Sequence, residues 1–279
     1  SEADAACFGI AGPVIGGRCK TTNLPWEIEA SRLKQQLSTE NLRLLNDLEA
    51  TAYGMLYLSP SEFVDLNPQA NAQQGNRAII AAGTGLGEAM LFFDGTQYHP
   101  VGSEGGHCDF APADDQQSAL LAWLRRRYPD HVSYERVLSG PGLYTLYEFL
   151  RDSGAAPEPA FMKTLAQGED RSAMISEGAL QKNDPLCRKT LNLFASIYGA
   201  EAGNLALTTM ATGGVYIGGG IAPKILPSLE SGVFMKAFLA KGRFRSLLSS
   251  MPVKVARNPE TALVGAARFA ADRLLTLEA

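Results

Sequence analysis

Short apolar runs alternate with segments whose apolar residues recur every three or four positions, and this rhythm persists along the whole chain. Short runs bounded by glycine, proline or asparagine suit strands buried within a sheet, and the segments between them suit helices packed on it. The chain therefore reads as an α/β protein. Strands are expected at residues 8–10, 42–45, 78–82, 89–93, 215–217 and 252–256. Leu24-Pro25-Trp26 leads into an expected helix with Leu33 and Leu37 on one face, and another follows Asn46-Asp47 with Leu48, Thr51, Ala52 and Met55 on one side. Further helices are expected at residues 118–127, 142–151, 172–180, from Pro185 to about residue 210, from Ile221 onward, and at 259–275. Residues 67–76 and 155–160 read as loops, and there is no internal repeat or low-complexity tract.

With 279 residues, 46% of them hydrophobic and 19% charged, the chain can bury one large core or the cores of two α/β lobes. The net charge of −4 and a single compact basic run, Arg125-Arg126-Arg127, argue against a nucleic-acid surface; that run reads as the solvated end of a helix. No apolar stretch approaches the roughly 20 residues that span a bilayer. Cys7, Cys19, Cys108 and Cys187 are scattered without C-x-x-C spacing. They read as reduced thiols, neither disulfides nor a zinc site, of a cytoplasmic protein without a signal peptide.

Five segments carry candidate chemistry. Asn46-Asp47 stands where a strand gives way to a helix. A carboxylate there can cap the helix through its free N–H groups or act as a general base on a bound hydroxyl, and the pair alone does not decide. Gly83-Thr84-Gly85-Leu86-Gly87 joins two strands, so it is no dinucleotide fingerprint, and the chain has no G-x-x-x-x-G-K-[ST] loop. It is either a tight hairpin turn or a set of N–H groups and a hydroxyl closing on phosphate oxygens. Ser103-Glu104-Gly105-Gly106-His107-Cys108-Asp109-Phe110 places acids and an imidazole around two glycines. Lacking further ligands at metal spacing, it suits hydrogen bonding to a polyhydroxylated ligand better than a metal; a structural histidine is the plainer alternative. Glu135 before Leu138-Ser139-Gly140-Pro141-Gly142, and Gly218-Gly219-Gly220 between a strand and a helix, are weak signals singly: a surface acid and a packing turn, or ligand contacts.

Taken in order, these segments resemble the bacterial glucokinase family, within the sugar kinases that share the actin and hexokinase ATPase fold. The resemblance runs through Gly12-Pro13 with Thr22-Asn23, Asn46-Asp47, the Gly83 turn, the Glu-Gly-Gly-His-x-Asp-Phe-Ala-Pro string from Glu104, the Glu-Arg-Val-Leu-Ser-Gly-Pro-Gly string from Glu135, residues 213–223, and Asn258-Pro259. It implies a two-lobed, ribonuclease H-like fold, with residues 1–57 and 258–279 in the small lobe and 58–257 in the large one. It implies ATP-dependent phosphorylation of glucose at the 6-hydroxyl, with Mg²⁺ on the ATP phosphates, in the cytoplasm, and a possible homodimer.

Residue by residue, Asp47 matches the family's catalytic base, and Asn46, Glu104, His107 and Glu135 match residues that bond the other sugar hydroxyls. Gly83, Thr84 and Gly85 match a phosphate loop, and Gly218, Gly219 and Gly220 the adenosine end. No metal-binding residue is implied, and the clustered Cys/His zinc site of the related repressor branch is absent.

The family opens with an Asp-x-Gly-Gly-Thr loop that this sequence does not contain. The expectation is therefore a fragment without the N-terminal strands of the small lobe and the first phosphate loop, feebly active alone. Two competing expectations are a sugar-binding regulator descended from a kinase, which would not need Asp47 or the Gly83 turn, and a kinase for another hexose.

Overall fold

The computed structural model describes residues 3–21, 25–165 and 168–274, so Thr22-Asn23, Leu24 and residue 275 lie outside the described residues. The chain opens with four strands: β1 (Ala6–Ile10), β2 (Val14–Ile15), β3 (Arg18–Lys20) and β4 (Glu27–Glu29). Helix α1 (Ala30–Leu37) then leads to β5 (Leu42–Asn46), which pairs in parallel with β1, while β2, β3 and β4 form an antiparallel sheet of their own. The expectation of missing small-lobe strands is thus overturned: β1 to β4 are present. Of these only β1 was expected, at residues 8–10. β2 and β3 are two and three residues long, too short to show an alternation.

Helix α2 (Asp47–Gly54) follows β5 directly. A six-stranded sheet is built from β6 (Phe63–Asp65), β7 (Arg77–Ala82), β8 (Leu86–Phe93), β9 (Tyr98–Ser103), β10 (Val215–Gly218) and β11 (Val253–Ala256), in the order β6-β11-β10-β7-β8-β9. β10 runs parallel to both β7 and β11; the other pairings are antiparallel. Pro100 sits within β9, which the sheet order makes an edge strand, where a missing N–H costs nothing.

Against this sheet pack α3 (Asp115–Leu124), α4 (Gly140–Asp152), α5 (Ala160–Lys163), α6 (Arg171–Leu180) and α7 (Pro185–Thr209). They are followed by α8 (Leu226–Glu230), α9 (Val233–Phe238), α10 (Arg245–Ser249) and α11 (Thr261–Phe269). The longest, α7, is apolar nearly all round and buried through the middle of the largest core, where Phe194 packs on Tyr198 and Tyr198 on Phe234 of α9. It begins as expected at Pro185, capped by Asp184 accepting the Cys187 N–H at 2.9 Å. No helix among the described residues is long and apolar enough to cross a membrane.

Helix α2 is held from two sides. Ala52 and Met55 pack on Ile79, Leu91 and Tyr216 of the six-stranded sheet, while Ala50 and Tyr53 pack on Leu45, Ala266 and Phe269. The sheet and α11 therefore fix where the N-terminus of α2, and so Asp47, points. The expected helix at residues 259–275 is α11 continued by a π-helical turn, Ala270–Leu274, and the one expected from Ile221 starts as a 3₁₀ turn, Ala222–Ile225, before α8.

Candidate active site

The ambiguity at Asn46-Asp47 resolves in the hydrogen bonds. Asn46 is the cap: its Oδ1 accepts the Leu48 N–H at 2.8 Å, its own N–H donates to Glu49 Oε2 at 2.8 Å, and its Nδ2 donates to Gly12 O at 3.1 Å. Asp47, the first residue of α2, shares that donor: its Oδ1 accepts the Leu48 N–H at 2.9 Å, and it makes no ion pair among the described residues. Burial holds its carboxyl above the usual aspartate range, partly opposed by the backbone N–H groups of Leu48 and of Asp47 itself.

Opposite stands the turn between β7 and β8. Gly83 N–H donates to Gly85 O at 2.8 Å, and Gly83 O accepts the Gly140 N–H at 2.8 Å, which pins the turn to the start of α4. The Thr84 and Gly85 N–H groups donate to no protein acceptor among the described residues. Glu135 lies in a 3₁₀ turn, Tyr134–Arg136, and its Oε2 accepts the Leu86 N–H at 3.0 Å. Glu104 and His107, both exposed, flank the 3₁₀ turn Gly105–His107 that follows β9, closed by His107 N–H donating to Glu104 O at 3.0 Å.

These stretches meet around one cavity of about 560 Å³, within the size range of small-molecule sites. Asn46, Asp47, Gly83, Thr84, Gly85, Glu104, His107 and Glu135 all line it, together with Gly219. The other two expected residues sit elsewhere. Gly218 ends strand β10, buried against Met55 and Ala81, and Gly220 lines a neighbouring cleft of about 660 Å³.

That cleft shares Gly83 and Thr84 with the first cavity, so the turn forms the sill between two rooms. Its other walls were not among the expected site residues: Gly140 and Tyr144 of α4, Arg171 and Ser172 of α6, and Lys224. Ser172 Oγ donates to Gly140 O at 2.6 Å, and the Arg171 guanidinium lies 4.6 Å from the Tyr144 ring centroid. Gly140 belongs to a string that the resemblance singled out, and Lys224 follows another. Tyr144, Arg171 and Ser172 carried no sequence signal, because helix pattern says nothing of which turn faces a cleft.

Polar groups from four stretches of chain, a carboxylate with no ion-pair partner, and open N–H donors between two cavities can hold a polyhydroxylated ligand on one side of the turn and a phosphate chain across it. The glucokinase family model matches residues 1–273. The chain belongs to the glucokinase family. A glucokinase of Trichormus variabilis is 44% identical over 97% of this chain and 83% of the relative. The crystal structure of a glucokinase from an Antarctic psychrotroph, 34% identical, superimposes with a TM-score of 0.82 over 95% of this chain and 80% of that one.

A ROK family glucokinase from Streptomyces griseus in complex with glucose and AMPPNP shares the fold at 20% identity, with a TM-score of 0.64 over 97% of this chain and 82% of that one. The glucokinase match covers residues 1–273 and β1 to β4 are present, which corrects the expectation that the small-lobe strands are missing.

Proposed function

We propose that the protein transfers the γ-phosphoryl group of ATP to the 6-hydroxyl of glucose, with the sugar in the cavity beside Asp47 and the phosphates across the Thr84 turn. The observation that carries this reading is Asp47 itself: a half-buried carboxylate beside the Asn46 cap, without an ion-pair partner among the described residues, lining the same cavity as the Thr84 and Gly85 turn with its open N–H groups. Asp47 accepts the 6-hydroxyl proton as the oxygen attacks phosphorus, in the role of general base. Asn46, Glu104, His107 and Glu135 hold the other hydroxyls, so that a sugar lacking one leaves a polar group unpaired. Glu135 joins both halves of the site, since its carboxylate meets the sugar and fixes the Leu86 end of the turn.

The N–H groups and hydroxyl of Gly83, Thr84 and Gly85 line up the phosphates, Gly219 and Gly220 face the adenosine side, and Gly218 supports them from within β10. Most of the catalysis is then positioning and charge stabilisation. No group of three or more His, Cys, Asp or Glu side chains able to hold a metal stands among the described residues. This fits a Mg²⁺ ion that comes with the nucleotide, since Mg²⁺ keeps several waters and binds chiefly through substrate phosphates. When bound it neutralises charge on those phosphates.

We further infer a small lobe of residues 1–57 with 258–279 that closes on a large lobe of 58–257 and excludes water, a homodimer, and a cytoplasmic setting. Calorimetric titration tests the sugar assignment. Glucose should bind saturably and more tightly than mannose or fructose, and His107→Ala should weaken it by tenfold or more, the loss of about 1.4 kcal/mol of hydrogen bonding. Tighter binding of another hexose would change the substrate, and an unaltered His107→Ala would move the sugar elsewhere.

A further inference from the structure

Behind the turn that carries Glu104 and His107 lies a buried acid pair that phosphoryl transfer does not use. Glu88 on β8 is 3% exposed, and Glu201 on α7 is 6% exposed. Glu88 is the register partner of Ser103, the residue just before Glu104. Its Oε2 lies directly under Gly105, so close that a Cβ added there would stand 2.1 Å from it. The Glu88 carboxyl is thus the floor of the turn.

Glu201 is near enough for its charge to act on Glu88, and two like charges in one buried place disfavour each other, so one carboxyl holds a proton. Their surroundings assign it. Glu201 Oε2 accepts from Asn204 Nδ2 at 2.8 Å, and the Lys241 ammonium, anchored at 2.8 Å on Ala200 O and 2.5 Å on Asn204 Oδ1, adds its charge nearby. Glu88 has none of these: its Oε1 is one of two buried side-chain polar atoms without a partner among the described residues, the other being Arg77 Nε. The remaining titratable groups that feel it are Tyr198 of α7 and Cys108 beyond the turn, neither of them a cation. The proton belongs on Glu88.

We propose that Glu88 is a positioning residue for the sugar site: protonated and packed under Gly105, it holds the turn from beneath so that Glu104 and His107 face the cavity, and its ionisation loosens their grip. The inference rests on the reading that these two residues bind glucose. Burial first, and the neighbouring Glu201 charge second, push the Glu88 carboxyl up to about 8. Above that pH two like charges face each other in a buried place with one oxygen already unpaired, and the layer that can yield is the exposed turn over them.

The test compares the wild-type chain with Glu88→Gln, which keeps the shape but cannot ionise. Glucose is titrated calorimetrically from pH 7 to pH 9. Wild-type affinity should fall about tenfold across that interval, as expected for a required proton leaving near pH 8. The variant should match the wild type within about threefold at pH 7 and stay flat to pH 9. An equal fall in both proteins, or no fall in the wild type, overturns the proposal.

Infrared spectra supply a readout that packing alone does not move. A protonated carboxyl band present at pH 7 and lost in Glu88→Gln supports the proposal, and its absence from the wild type refutes it. Folded wild-type protein that binds no glucose at any pH would instead remove the sugar assignment beneath it, and the positioning role with it.

Discussion

Replacing Gly265 by alanine should cost the protein about 2 kcal/mol, because α2 and α11 cross with their backbones in contact. A Cβ at Gly265 would stand 1.8 Å from Ala50 O and 2.7 Å from Gly54 N, and one at Gly54 would stand 2.0 Å from Thr261 O. The obstructing atoms are backbone, so no rotamer change relieves them. The helices must part by about 1.2 Å merely to restore a 3.0 Å approach.

Parting them loosens the packing of Ala50 and Tyr53 on Ala266 and Phe269, including the edge-on Tyr53–Phe269 pair at 5.3 Å. Overpacking of this kind costs about 3 kcal/mol at its usual upper end. The better helix propensity of alanine returns about 1 kcal/mol. Urea and thermal unfolding should therefore show a net loss near 2 kcal/mol, a fall in Tm of about 4–8 °C. Leu263→Ala, on the 68% exposed face of the same helix, should change stability by less than about 0.5 kcal/mol. Because α2 begins at Asp47, glucose affinity should weaken in Gly265→Ala as well. A neutral or stabilising Gly265→Ala would show that the two helices are not in backbone contact and would remove the account of how Asp47 is aimed.

Four further outcomes follow from particular contacts. The acid limb of kcat should lie above the ordinary aspartate range, since Asp47 must be ionised to accept a proton and burial raises its carboxyl; a limb at or below that range in a pH–rate profile would contradict this. Glu135→Gln should weaken both glucose binding and ATP KM several-fold, because one carboxylate serves the sugar and the Leu86 N–H; an effect on glucose alone would separate the two roles.

Glu88, with a carboxyl near 8 in the folded chain against an ordinary 4.5, contributes stability that is intact below the lower value and lost as pH rises through the higher. Glu88→Gln should accordingly gain in Tm over the wild type between pH 5 and pH 8, and a constant difference would speak against a buried proton. Asp184→Ala should cost about 1 kcal/mol in urea unfolding by leaving the Cys187 N–H at the start of α7 without its 2.9 Å acceptor.

Elements whose period or punctuation lies within a few residues could be read from the sequence, and those defined by distant partners could not. β5, the hairpin of β7 and β8, β10, β11 and the Pro185 start of α7 all declare themselves through apolar runs and turn residues. β2, β3, β4 and β6 do not: each is two or three residues long and exists because a neighbour pairs with it. Trp26 was therefore read as leading straight into a helix, whereas β4 intervenes before α1. The expectation of missing small-lobe strands came instead from the absent Asp-x-Gly-Gly-Thr loop, and the presence of β1 to β4 overturns it.

At the site, motif strings brought Asn46, Asp47, the Gly83 turn, Glu104, His107 and Glu135 to one cavity. The nucleotide-side cleft was only partly foreseen, since Tyr144, Arg171 and Ser172 become neighbours when α4 packs beside α6. Glu88 was invisible too. On paper it is one polar residue of an alternating strand, and only the fold sets Glu201 and Gly105 against it.

The most direct test of the central claim is Asp47→Asn, measured both for glucose affinity by calorimetry and for turnover with ATP. Asparagine preserves the shape of the side chain but cannot accept the hydroxyl proton. The account predicts glucose binding within a few-fold of the wild type and turnover reduced by about 10²-fold or more. Turnover near the wild-type value would contradict it and remove Asp47 from the role of base.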